Sequence, residues 1–290
     1  MKNLLITALL TIAFSALEAQ SLSPFYKAED SIKVEQLLRE AQALPKGSND
    51  VMFFARKFID IPYVAATLEV AYPEQLVVNL RELDCTTFVE TVTALTRTLR
   101  HGKSSFADYC NELQLLRYKD GKIEGYPSRL HYYSSWIDNG EKHHYVKEIN
   151  AFNTPKLLPI SADQKLNLWF MTQNANLYKA LKEHPELLPQ IKEAEDELNG
   201  KIVKYIPNAQ LTNTKVLKKA INDGDILALV TKKGGLDVSH LGFAVWGNDG
   251  QLHLLNASSL HHKVIEEPKT LSSYMQSQKN NIGIRVIRIL

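Results

Sequence analysis

Cysteine is nearly absent from this 290-residue chain, which has Cys85 and Cys110 and no others. Two cysteines cannot build a disulfide scaffold, and a single bridge is the most they allow. Charge of one sign is lacking as well: 34 Lys and Arg against 32 Asp and Glu leave a formal net charge of +2. No electrostatic footprint therefore favours nucleic acid or an anionic membrane surface. Long apolar runs are confined to Leu4 to Leu17, which is shorter than the roughly 20 residues a spanning helix needs. No His-Glu-x-x-His motif occurs, and the adjacent pairs His143-His144 and His261-His262 would point apart on a helix or a strand. Neither a metal nor another cofactor is expected on these grounds.

What remains is an ordinary globular composition, 44% hydrophobic and 23% charged, with ample material for a core. The short basic start Met1-Lys2-Asn3, the apolar run after it, and small residues Ala16 and Ala19 fit a secretory signal over residues 1–20. An exported protein without stable membrane insertion is the expectation, with residues 21–290 forming one domain.

Asp30 to Leu44 and Asp50 to Ile59 read as amphipathic helices, the first capped by Asp30 and separated from the second by Pro45-Lys46-Gly47. Tyr118 to Tyr145 is aromatic-rich and punctuated by Gly121 and Gly125, which suggests strands and loops. Helical spacing returns over Asn174 to Lys201, broken at Pro185, as a helical insertion spanning about 165–205. Four strands follow: Asp225 to Val230, Ser239 to Trp246, Gln251 to Ala257 and Ile282 to Leu290. The order predicts an α+β domain, with N-terminal helices packed on an antiparallel sheet.

The chemistry centres on Leu83-Asp84-Cys85-Thr86-Thr87-Phe88-Val89-Glu90. Apolar Phe88, Val92, Leu95 and Leu99 recur at helical spacing up to Gly102, Asp84 is a good N-cap, and Thr87 to Glu90 reads as a capping box one turn later. Cys85 thus falls in a first turn, where free N–H groups and the helix dipole favour a thiolate, while the Asp84 carboxylate opposes one. A nucleophilic cysteine needs a base, and the candidate is His240, on the same strand face as Gly242, Ala244 and Trp246. If Asn248-Asp249-Gly250 forms a three-residue turn with Gly250 left-handed, Asn256 lies opposite Gly242 and diagonal to His240, in position to orient it. A two-residue turn would send Asn256 to the other face. Cys110 is then a plain core residue.

These segments, with Asp223-Gly224-Asp225-Ile226-Leu227, Ser239 to Val245 and Leu255-Asn256-Ala257-Ser258-Ser259, resemble the ordered landmarks of NlpC-like cysteine peptidases. Pro62 to Glu69 and Ser128-Arg129-Leu130-His131-Tyr132-Tyr133 resemble, more narrowly, the N-acetylmuramoyl-L-alanine amidase-like branch of that clan. The resemblance implies a papain-like core and metal-independent hydrolysis of the muramoyl-L-alanine bond in peptidoglycan fragments (muropeptides). Cys85 would be the nucleophile, His240 the base and Asn256 the orienting residue, at a position where many members of the clan carry histidine. Tyr63 would help bind the oxyanion, and Asp84, Arg129, His131 and Asp237 would contact substrate. Two other readings stay open: an endopeptidase cutting the γ-D-glutamyl bond of the stem peptide, and a non-catalytic cell-wall binding module.

Overall fold

A computed structural model describes residues 23–70, 72–150 and 153–290. The proposed signal segment lies outside the described residues. In chain order the helices are α1 (Ala28–Gln42), α2 (Asp50–Arg56), α3 (Cys85–Arg100), α4 (Phe106–Arg117), α5 (Tyr133–Lys142), α6 (Phe170–Gln173), α7 (Lys179–Glu183), α8 (Leu188–Leu198), α9 (Thr214–Leu217) and α10 (Leu271–Ser277). The strands are β1 (Val146–Glu148), β2 (Ala162–Lys165), β3 (Ile202–Pro207), β4 (Ile226–Thr231), β5 (Val238–Trp246), β6 (Leu252–Ser258), β7 (Lys263–Glu266) and β8 (Asn281–Ile289). They form one antiparallel sheet in the order β2-β3-β8-β4-β5-β6-β7, with β1 also paired to β8. This is a mixed helix and antiparallel-sheet α+β fold.

Alternation along the strands divides the apolar residues between two layers. Ile226, Ala228, Leu241, Phe243 and Leu255 face α1 to α5 in the main core, where Phe88 of α3 meets Phe243 edge-on at 5.4 Å. Leu227, Leu229, Ala244 and Leu254 face a second core with Leu217 of α9 and Leu271 and Met275 of α10. The central helix α3 is thus held by its apolar face. Its buried charges are paired: Glu90 with Arg117 of α4 at 2.7 Å and Arg97 with Glu112 at 2.9 Å.

The insertion has its own small core, in which Met171, Leu181, Ile191 and Leu198 gather around Tyr126 and Tyr132. Strands β2 and β3 pair Ala162 with Tyr205 through Lys165 with Ile202, closing it at the base.

Several expectations need correction. Asp30 is not the N-cap of α1; Lys27 is, and Asp30 in the first turn accepts from the Lys27 and Leu80 N–H groups, joining the helix to the chain 50 residues on. The capping box of α3 is Asp84 with Thr87, not Thr87 with Glu90, whose carboxylate Arg117 holds. The stretch read as strands contains α5, because Tyr133, Trp136, Ile137 and Gly140 share one buried helical face.

Candidate active site

Helix α3 starts at Cys85 because Asp84 caps it: Asp84 Oδ1 accepts from the Thr87 N–H at 2.8 Å, and Thr87 Oγ1 accepts from the Asp84 N–H at 2.9 Å. The thiol therefore sits at the free-amide end of the helix. The Leu241 N–H of β5 and the N–H and hydroxyl of Thr86 act on its sulfur. All three stabilise a thiolate, yet burial, reinforced by Asp84, outweighs them and pushes the thiol up to about 12. The ease of ionisation expected from the helix end is thus reversed. Cys85 rests as a thiol, and ionising it takes a base.

His240 is the candidate, since it lines the same cavity of about 130 Å³ as Cys85. Its place on β5 is set by the neighbouring strands. Leu229 pairs with His240 but Val230 pairs with Val238, so Ser239 is an extra residue that bulges the strand beside the histidine. On the other side, β5 and β6 pair Phe243 with Leu255 through Trp246 with Leu252. The Gly247 N–H closes a three-residue turn onto the Gln251 carbonyl, and Gly250 has φ +75°. That register puts Asn256 opposite Gly242, where a Cβ would meet the Leu255 carbonyl at 2.7 Å and Asn256 Cβ at 2.9 Å. Only glycine lets the strands approach so closely.

Across this gap His240 Nε2 and Asn256 Oδ1 lie 2.8 Å apart. A carbonyl oxygen only accepts, so Nε2 carries the hydrogen and Nδ1 is the basic nitrogen of the neutral ring. The amide orientation is fixed independently, because Asn256 Nδ2 donates to Glu267 Oε1 at 3.2 Å. Burial lowers the His240 pKa, opposed by the Asn256 hydrogen bond and by the Glu267 and Asp84 charges, which keeps the imidazole neutral and receptive.

Tyr63 reaches the site through its backbone. Its N–H donates to the His262 carbonyl at 3.0 Å, and the Val64 N–H donates to Leu83, two residues before Cys85, at 3.1 Å. Burial, then Cys85 and Asp84 beside it, push the phenol up to about 12, so it stays a donor. The segment beyond it is tied by Arg129, which reaches Glu69 at 2.7 Å, Glu74 at 2.7 Å and the Leu68 carbonyl. Arg129, expected to contact substrate, gives its N–H groups to this acidic loop as a tether and also lines a cavity of about 180 Å³. Tyr118 adds a further hydrogen bond to Glu74 at 2.7 Å.

His131 lines the cavity, with its Nε2 donating to the Tyr126 carbonyl at 3.0 Å; burial and the Arg129 charge bring its pKa down to about 3. Asp237 lies in the same wall as the anion at the start of α5, accepting from the Ser134 N–H at 2.6 Å. Asp84 is spent on the α3 cap. A neighbouring cavity of about 180 Å³ shares Leu130, His131 and Tyr132 with the first and is walled on its far side by Ile191 and Leu198 of the insertion. Sequence reasoning missed Glu267 and the Leu241 amide. An acidic residue before Pro268 carries no local signal of burial, and a backbone donor leaves no mark in a sequence. Cys110 is free and buried, as is suited to a core position. Among the described residues no group of three or more His, Cys, Asp or Glu could hold a metal ion, and no helix is long and apolar enough to cross a membrane.

An antiparallel sheet flanked by helices, with this cluster at the head of the central helix, places the chain among α+β proteins of amidase type. It belongs to the AmiA-like family, described as N-acetylmuramoyl-L-alanine amidase-like, whose model matches residues 53–284. The fold is similar to that of an N-acetylmuramoyl-L-alanine amidase from Bacteroides uniformis ATCC 8492, with 39% identity and a TM-score of 0.75 over 83% of this chain and 97% of that one. A Bacteroides fragilis structure provisionally named a xylanase is 41% identical, with a TM-score of 0.74 over 81% of this chain and 99% of that one. A Legionella pneumophila protein, 23% identical, shares the fold with a TM-score of 0.70 over 90% of this chain and 95% of that one. No curated protein matches the chain.

Proposed function

We propose that the protein is an exported cysteine amidase that hydrolyses the bond between N-acetylmuramic acid and L-alanine in peptidoglycan fragments, on a papain-like, NlpC-like arrangement of helix and sheet. The observation that carries this reading is the shared cavity of Cys85 and His240, with the imidazole held through Nε2 so that Nδ1 is the acceptor. Export rests on the apolar N-terminal run.

On this reading His240 Nδ1 takes the thiol proton as Sγ attacks the lactyl carbonyl. The charge that develops on the carbonyl oxygen meets the Tyr63 hydroxyl, a donor that holds its proton. Collapse of the tetrahedral species breaks the C–N bond, and the imidazolium returns its proton to the leaving L-alanine nitrogen. Water, deprotonated by the same ring, then hydrolyses the thioester and regenerates the thiol. The run Ser128 to Tyr133 passes between the two cavities and would receive the muramoyl sugar, with His131 as a neutral hydrogen-bonding group.

Mass spectrometry of products from a defined muramoyl peptide tests the assignment. Free sugar acid plus intact stem peptide is the expected pair. Cleavage after D-glutamate, with the sugar still on L-alanine, would replace it with the endopeptidase reading, and binding without turnover would leave a cell-wall binding module.

A further inference from the structure

The hydrogen-bonded line through His240 does not stop at Asn256. Asn256 is fully buried, and behind it lies the carboxylate of Glu267, a residue 3% exposed just past the end of β7. One oxygen accepts from Asn256 Nδ2 at 3.2 Å, and the other faces His261 Nε2 at 3.3 Å from the turn between β6 and β7. The Glu267 backbone is fixed too: its N–H donates to the Leu254 carbonyl at 2.8 Å, and its own carbonyl lies 3.2 Å from His253 Nδ1. Strand β6 and the turn after it therefore converge on one residue whose carboxylate lies outside the cavity lined by Cys85 and His240.

An amide is nearly symmetric in shape, so packing alone cannot choose which end meets the imidazole. With Nδ2 turned to His240, the ring would have to carry its hydrogen on Nδ1, and that nitrogen could not take a proton from the thiol. A carboxylate accepts and does not donate. Glu267 therefore decides the question: it claims Nδ2 and leaves Oδ1 for the ring. We propose that Glu267 is a positioning residue that acts through Asn256 to hold His240 in its Nε2–H form, and whose charge supports the imidazolium formed during proton transfer. The inference rests on reading Cys85 and His240 as nucleophile and base. The other charged or titratable groups facing this line are Asp84 at the head of α3, His261 in the turn, and Tyr274 on α10, whose phenol feels the Glu267 charge. His261, its side chain 41% exposed, meets the second Glu267 oxygen from the solvent side.

The test compares the wild-type chain with E267Q, E267D and H261Q. Nitrogen-labelled imidazole signals give the His240 tautomer and its titration, and iodoacetamide gives the alkylation rate of Cys85 against pH. In E267Q the amide loses its fixed direction, so His240 becomes a mixture of tautomers, its titration moves to lower pH, and neutral-pH alkylation falls by about tenfold, less than the loss of a base would cost. E267D keeps the charge and restores most of the rate. H261Q leaves the Glu267–Asn256 hydrogen bond in place, so the His240 tautomer stays as in the wild type. An unchanged His240 tautomer and titration in E267Q would overturn the proposal even if turnover dropped, as would H261Q mixing the tautomers as much as E267Q does. A wild-type Cys85 that alkylates no faster than an ordinary buried thiol would instead overturn the nucleophile reading, and the NMR data still judge Glu267 separately.

Discussion

Two segments bring groups to Cys85, and they are held in opposite ways. The β5–β6 hairpin delivers His240 and Asn256 by backbone register, with a three-residue turn, a close approach at Gly242 and a bulge at Ser239 deciding where each side chain falls. The Tyr63 segment has only isolated bridges to Leu83 and Lys263 nearby, and its continuation is held by side chains, with Arg129 on Glu69 and Glu74. A hairpin fixed by register fails by shifting geometry. A loop fixed by a buried ion cluster fails by losing charge balance.

Replacing Cys85 with Ala has the largest expected effect and stands outside the contrast: muropeptide turnover is abolished while the melting temperature barely moves. Wild-type-like turnover in that variant would end the mechanism. His240→Ala should lower kcat by about 10²–10⁴, the range for a general base. Asn256→Ala should cost less, because the base itself survives; a larger loss than for His240→Ala would mean the hairpin does something other than orient the ring.

The contrast is sharpest between Tyr63→Phe and Arg129→Met. Tyr63→Phe removes one donor and should cost about 10²–10³ in kcat with stability unchanged. Arg129→Met leaves Glu74 buried without its cation and should cost about 3–5 kcal/mol of stability by urea unfolding. If Arg129→Met instead raised KM alone, with no loss of stability, the arginine would be a substrate contact and not a tether. Gly242→Ala forces a Cβ onto the Leu255 carbonyl and should cost about 1–3 kcal/mol as well as activity, since it pries Asn256 from His240.

The remaining effect expected is on stability against pH. His131 is held neutral in the fold, its pKa lowered from 6.5 to about 3. Between those values the unfolded chain binds the proton and the fold does not, so stability is full above about pH 6.5 and is lost as pH falls toward 3. His240 adds a loss of the same sign, beginning below its ordinary value. Replacing His131 with Asn should flatten part of that acid slope; an unchanged slope would place its cause elsewhere.

The hairpin was readable because its signals are local and periodic: a Gly-containing turn of fixed length and alternating faces are enough to place Asn256 opposite Gly242. The α3 helix was readable for the same reason, though its capping box was misplaced by one turn because Glu90 answers to Arg117, 27 residues away. The α5 helix was misread because aromatic residues favour strands on average, while Tyr133, Trp136 and Ile137 obey a helical period that a loop-rich neighbourhood disguised. The tether and the Glu267 line were not readable at all. Both depend on charges that meet only after the sheet has formed, and nothing within a few residues of Arg129 or Glu267 announces the partner.

The paired ends of β2 and β3 have a consequence for how this architecture can change over time. Lys165 and Ile202 are cross-strand neighbours, so the chain leaves the sheet and returns to it at one spot. Everything between them is a cassette, docked on the domain by the Leu168–Gly235 bridge and by Glu195 on Tyr132, and its length can change at little cost once the ends are joined. What such an exchange would alter is the far wall of the second cavity, where Ile191 and Leu198 stand over Tyr132. The reacting groups and the surface that selects what reaches them can therefore evolve on separate schedules.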